Sequence, residues 1–226
     1  MLPPSLSIPE AIASAQARVM RTSHRGARWM GGYARMKVER DWIYAQLCER
    51  IPPGARVLDL GAGMGLLGLV LEERKQGHAV HGIEWDGRKV AFARRLALSG
   101  SACLVHQGDI LKDPWPPSDI VVLVDVLHYF PEQIQKELLH RIAHHLESGG
   151  MLLMRVMDRE AKGRAWLTRL MERLAVSLKW NRAPDLHWRG IREILADLSA
   201  AGLQPALGAS DSRLLDGNCL VIASKP

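Results

Sequence analysis

The segment Val57-Leu58-Asp59-Leu60-Gly61-Ala62-Gly63-Met64-Gly65 constrains this chain more than any other. A short apolar run from Arg56 to Leu60 passes directly into three glycines at alternate positions, and an apolar helical pattern begins at about Leu66. Glycines at such a bend let the backbone turn tightly and leave no Cβ between the main chain and a ligand lying across the helix N-terminus. A strand, a glycine loop and a helix in that order open a parallel α/β sheet, and the loop reads as a site for a nucleotide-like cofactor. The spacing departs from the dinucleotide fingerprint, because Leu66 stands three positions after Gly63 and the third glycine comes one residue early.

The α/β alternation continues from there. Ala79 to Glu84 reads as a second strand before a helix near Gly87 to Ser99, and Cys103 to His106 as a third that ends before Gly108 and Asp109. Ile120 to Val124 is a continuous β-branched and leucine run, as a central parallel strand covered on both faces requires. Pro131 starts the next helix, a turn at residues 147–150 leads into the strand Met151 to Val156, and a long helix is expected from about Ala161 to Lys179. Leu203 to Leu207 and Cys219 to Ala223 flank the turn signal Asp216-Gly217, which predicts a hairpin at the sheet's edge.

The expected fold class is therefore α/β, a doubly wound, mostly parallel seven-stranded sheet of Rossmann-like type with an antiparallel C-terminal hairpin. Residues 51–226 form the cofactor-binding domain. Residues 1–50 read as a helical extension serving as a lid or substrate-binding element, with Ile12, Ala15 and Val19 on an apolar side and Gly31 and Gly32 interrupting the pattern.

Acidic residues at strand ends carry the chemical argument. Asp59 beside the glycine loop would repel a pyrophosphate, whereas it suits a ligand with an ammonium and a sulfonium, as in S-adenosylmethionine (SAM); the alternative is an aspartate that caps loop amides. Glu84, ending the second strand, is placed to accept hydrogen bonds from ribose hydroxyls, a feature shared with NAD enzymes. Trp85 next to it either packs on an adenine ring or belongs to the core. Asp109, in His106-Gln107-Gly108-Asp109-Ile110, either accepts from an adenine amino group or caps the following turn. The ordered set at successive strand ends is more specific than its members, since open α/β sheets bind ligands there.

Over roughly residues 40–226 the sequence resembles the class I SAM-dependent methyltransferases, on the pieces VLDLGAGMG, GIEWD, the Gly108-Asp109 pair, DIVVLVDVLHYF and LESGGMLLMRV. The resemblance implies that Asp59, Gly61, Ala62 and Gly63 hold the methionine part, that Glu84 holds the ribose, and that Asp109 faces the adenine. Trp85, Ile110 and Asp125 complete the expected cofactor set by position rather than by the resemblance. A narrower resemblance, on YARMKVERDWIY, GIEWDGRKV and DVLHYF, is to the small methyltransferases of bacterial aryl-polyene pigment pathways. It implies a phenolic or aryl-acyl acceptor, free or attached to an acyl carrier protein.

Methyl transfer is an in-line displacement that needs alignment and exclusion of water more than acid or base groups. For a phenolic acceptor a base assists, and His128, just past the central strand, is the candidate; the alternative is a structural histidine bonded to backbone. Tyr129 and Arg155 are candidate substrate contacts by position. No metal site is expected: the pair His140 and His144 lacks the glutamate of a zinc-protease motif, and Cys48, Cys103 and Cys219 have no ligand spacing. The formal net charge of +6 admits an anionic partner, and Arg18, Arg21, Arg25 and Arg28 recur at helical spacing as a basic stripe that is either a docking surface for an acidic carrier or an ordinary solvated face. With no signal-peptide pattern and no apolar run of membrane-spanning length, the expected location is the cytoplasm. An RNA methyltransferase, an NAD-dependent oxidoreductase and a non-catalytic SAM-binding protein are the competing readings.

Overall fold

The computed structural model describes residues 5–23, 28–159, 186–210 and 217–226, which fall into two compact units, Met1–Ile120 and Val121–Pro226. In the first unit three helices, α1 (Ile8–Ser23), α2 (Arg28–Arg40) and α3 (Ile43–Arg50), precede strand β1 (Arg56–Leu60), helix α4 (Leu66–Glu73), strand β2 (Ala79–Glu84), helix α5 (Gly87–Leu96) and strand β3 (Cys103–Gln107). The second contains β4 (Ile120–Val124, beginning at the boundary), a 3-10 turn (Leu127–Tyr129), α6 (Glu132–His145), β5 (Met151–Met157), α7 (Ile191–Ala200), β6 (Gln204–Ser210) and β7 (Asn218–Ser224). The strands follow the order β3-β2-β1-β4-β5-β7-β6 in one seven-stranded sheet. This is the expected Rossmann-like arrangement, with β1, β2 and β3 paired in parallel and β7 antiparallel to both β5 and β6.

Local sequence explains the elements. Ile120 to Leu123 are buried throughout, as befits a strand with no polar face. Helix α4 is apolar on almost every side and buries Leu66, Leu67, Leu69, Val70 and Leu71. Asp86 caps α5 by accepting from the Arg88 amide at 2.9 Å. The Glu193 carboxylate reaches back to the Gly190 amide at 3.1 Å to start α7, an element the sequence reading did not identify.

The N-terminal residues correct two expectations. Gly31 and Gly32 lie inside α2 rather than breaking it, and the buried face of α1 is Ala11, Ala15 and Val19, with Ile12 half-buried. Arg18 also leaves the expected basic stripe. Arg18 turns inward, where its guanidinium forms ion pairs with both Glu72 and Glu73 of α4 and donates to the Leu96 carbonyl at 3.3 Å, while Ser14 donates to Glu73 at 2.5 Å. Arg21 is exposed, and Arg25 and the side chain of Arg28 lie outside the described residues, as do the helix expected at 161–179 and Asp216 of the hairpin turn.

Candidate functional site

The first unit builds its site where β1 gives way to the glycine loop. Gly61 and Ala62 donate to the Ile83 carbonyl at 2.8 and 3.1 Å, which ties the loop to the end of β2. Gly63 donates its amide to Glu84 Oε2 at 2.8 Å, and the Asp86 amide donates to Glu84 Oε1 at 3.0 Å, so the buried Glu84 carboxylate organises two backbone segments at once. Gly65 adopts φ 69° at the start of α4, a left-handed conformation, and a Cβ there would lie 2.9 Å from Val105 Cγ2. Gly82, behind the loop, lets Ala62 approach to where its own Cβ would meet the Ala62 Cβ at 2.7 Å.

Asp59 is buried in the same place, on β1 in register with Gly82 of β2. Burial, with the nearby Glu84 charge adding to it, pushes its carboxyl up to about 7. Among the described residues no cation pairs with either Asp59 or Glu84. Two buried carboxylates beside a glycine cradle fit a ligand that brings positive charge and hydroxyl donors, and disfavour a pyrophosphate.

The remaining cofactor candidates sit close by. Trp85 is 37% exposed, which sets aside the core alternative, and its carbonyl accepts from Gln107 at 3.1 Å. Gly108, which leads from β3 to Asp109, donates to the Glu84 carbonyl at 3.0 Å. Asp109 Oδ1 accepts from the Leu111 amide at 2.9 Å, and its other oxygen lies 3.6 Å from Lys112 Nζ, so the side chain does cap the following turn. Ile110 is buried. Asp86 was not singled out in the sequence, although an aspartate directly before a helical pattern is an N-cap signal.

The second unit holds the other candidates. Asp125 has φ 58° and engages Arg155 through both carboxylate oxygens, one of them 2.8 Å from Arg155 Nε. The buried Arg155 guanidinium is thus directed at Asp125, a pairing that sequence separation hid. His128 is buried in the 3-10 turn, and its ring lies 4.3 Å from that of Tyr129 at 51° and 4.2 Å from that of Trp188 at 22°, centroid to centroid. Its backbone carbonyl accepts from the His187 amide at 2.8 Å. Trp188 carries no periodic or motif signal in the sequence.

Comparison with known proteins finds methyltransferases. Residues 57–150 match the family profile described as a methyltransferase domain. The chain is 40% identical over 114 residues to the ribosomal RNA small subunit methyltransferase G of Rhodospirillum centenum, covering 48% of each chain. It is 30% identical over 158 residues to the ubiquinone biosynthesis O-methyltransferase of Idiomarina loihiensis, covering 67% of this chain and 62% of that one. The chain spans about half the length of several of the curated relatives it matches. In structure it is similar to the magnesium protoporphyrin IX methyltransferase of Synechocystis with bound S-adenosylhomocysteine, at a TM-score of 0.64 and 19% identity, covering 93% of this chain and 94% of that one.

Proposed function

We propose, from the premise that the chain belongs by its domain and its fold to the class I SAM-dependent methyltransferases, that it binds SAM in the first unit and methylates a small phenolic or aryl-acyl acceptor. The observation that carries the reading is the pair of buried carboxylates, Asp59 and Glu84, on either side of a glycine loop. Residues 51–226 are the SAM-binding domain and residues 1–50 a helical extension of it. Asp59, Gly61, Ala62 and Gly63 hold the methionine part of the cofactor, Glu84 the ribose, and Trp85, Asp109 and Ile110 the adenine end. Bound SAM supplies an electrophilic methyl group on its sulfonium.

What the chain adds is orientation, dryness and proton handling. His128 takes the proton of the acceptor hydroxyl, and Tyr129 contacts the acceptor ring. Arg155, its guanidinium neutralised and fixed by Asp125, is a contact for the acceptor by position. The acceptor is read as free or linked to an acyl carrier protein, and the location as cytoplasmic. Among the described residues no helix is long and apolar enough to cross a membrane.

A thermal-shift comparison tests the cofactor: SAM and S-adenosylhomocysteine should stabilise the protein and NAD should not. Mass spectrometry after incubation with isotopically labelled SAM, using phenolic acids free and carrier-linked, tests the acceptor. A short ribosomal RNA belongs in the same assay, because one relative methylates ribosomal RNA by name. Label in the RNA with none in any phenolic acid would replace the small-molecule reading.

A further inference from the structure

We infer that Trp188 is a positioning residue for the His128 imidazole, an inference that rests on reading His128 as the acceptor's base. The indole of Trp188 lies nearly parallel to the His128 ring, 22° between planes and 4.2 Å between centroids. A histidine's outer torsion is broad, so a flat neighbour at stacking distance restricts the orientation that a backbone alone leaves open.

The segment that carries Trp188 is held by groups other than Trp188 itself. On one side, the His187 amide donates to the His128 carbonyl at 2.8 Å. Gln135 of α6, almost fully buried, donates its side-chain amide to the carbonyls of Phe130 and His187 at 2.8 and 2.9 Å, clasping the exit of the 3-10 turn to this segment. On the other side, buried Arg189 forms an ion pair with Asp197 of α7 at 2.6 Å, and its carbonyl accepts from the Arg159 amide at 3.1 Å. The indole is therefore delivered to His128 by a backbone fixed at both neighbours. Removing the ring should free the imidazole without unfastening the segment. A buried base whose ring must meet an acceptor hydroxyl at hydrogen-bond distance loses rate steeply when its orientation spreads.

The test uses Trp188→Phe, Trp188→Leu, His128→Ala and the double variant His128→Ala/Trp188→Leu, assayed with the phenolic acid that labelled SAM shows to be methylated fastest. Trp188→Leu should lower kcat roughly 10- to 100-fold with KM and SAM affinity unchanged, and Trp188→Phe should keep most of the rate. In the His128→Ala background the leucine substitution should change the residual rate by no more than about twofold, because Trp188 acts through the missing ring. The His128 ring protons, assigned in NMR spectra by their loss in His128→Ala, should show an upfield ring-current shift in wild type and Trp188→Phe that shrinks in Trp188→Leu to the contribution of the Tyr129 ring. A full rate in His128→Ala, or no phenolic acid methylated by wild type, overturns the base reading and this role with it. A crippled His128→Ala beside a fully active Trp188→Leu overturns the positioning role alone, and so does an equal loss from Trp188→Leu in both backgrounds.

Discussion

Glu84 Oε2 accepts the Gly63 amide at 2.8 Å, so the carboxylate that ends β2 also holds the glycine loop that ends β1. Its other oxygen holds the Asp86 amide at 3.0 Å, at the start of α5. A carboxylate oxygen accepts more than one hydrogen bond, so a side chain already tied to two amides still has lone pairs for two vicinal hydroxyls. On the proposed role of Glu84, the loop and the ribose site are one construction.

Replacing Glu84 by Ala should weaken SAM binding by about 1–3 kcal/mol, through loss of a charge-assisted acceptor and of the loop's anchor. Glu84→Gln keeps one acceptor and should fall between. Calorimetric titration with SAM decides it, and an unchanged dissociation constant in Glu84→Ala would take the residue out of the site.

Gly65→Ala should destabilise the protein by roughly 1–3 kcal/mol, since the residue sits at φ 69° and a methyl would press on Val105 Cγ2 at 2.9 Å and Ala93 Cβ at 3.3 Å. Urea denaturation followed by circular dichroism measures this. Gly63→Ala provides the contrast: it also has a positive φ, but nothing lies within 4 Å of its added Cβ, so its cost should be smaller.

Much of this arrangement was legible in the sequence, for a physical reason. Strand ends in a parallel sheet are marked by apolar runs that stop at glycine or an acid, so the sequence shows Asp59 on β1, Gly61 and Gly63 in the loop after it, Glu84 at the end of β2, and Ile120–Val124 to the residue. Helix α7 escaped because its start is a glycine cap answered by Glu193 rather than a Ser, Thr, Asp or Asn. Arg18 misled because helical spacing tells which residues share a face and says nothing of what that face meets. Only the fold reveals that two glutamates of α4 wait beneath it. Trp188 and its stack on His128 join segments sixty positions apart with no pattern between them.

Arg18 gives a prediction that separates a buried latch from a surface charge. Its side chain is 11% exposed, and those of Glu72 and Glu73 are 18% and 9% exposed. Arg18→Met should cost about 3–5 kcal/mol, because two adjacent carboxylates stay in the interior without their cation, whereas an exposed pair would be worth under about 1 kcal/mol. Adding Glu72→Leu and Glu73→Leu to Arg18→Met should recover much of the loss. Equal stability of wild type and Arg18→Met in urea would return Arg18 to the solvated face that its spacing suggested.

Asp59 makes the site's response to pH predictable in sign. Burial, reinforced by Glu84, raises its carboxyl from 3.8 to about 7 in the folded protein, so between these values the folded chain holds a proton that the unfolded chain has released. The unliganded protein should therefore lose stability from this group as pH rises from about 4 to 7, and Asp59→Asn should flatten that slope in thermal melts. SAM binding should run the other way. A cation beside Asp59 favours the carboxylate, so binding below pH 7 expels the proton, and affinity should rise about tenfold between pH 6 and pH 8 for a single group titrating near 7. Calorimetry at pH 6 in two buffers of different ionisation enthalpy should show proton release in the wild type and none in Asp59→Asn. Affinity that stays flat with pH in the wild type would mean that the ligand's positive charge is held by other groups.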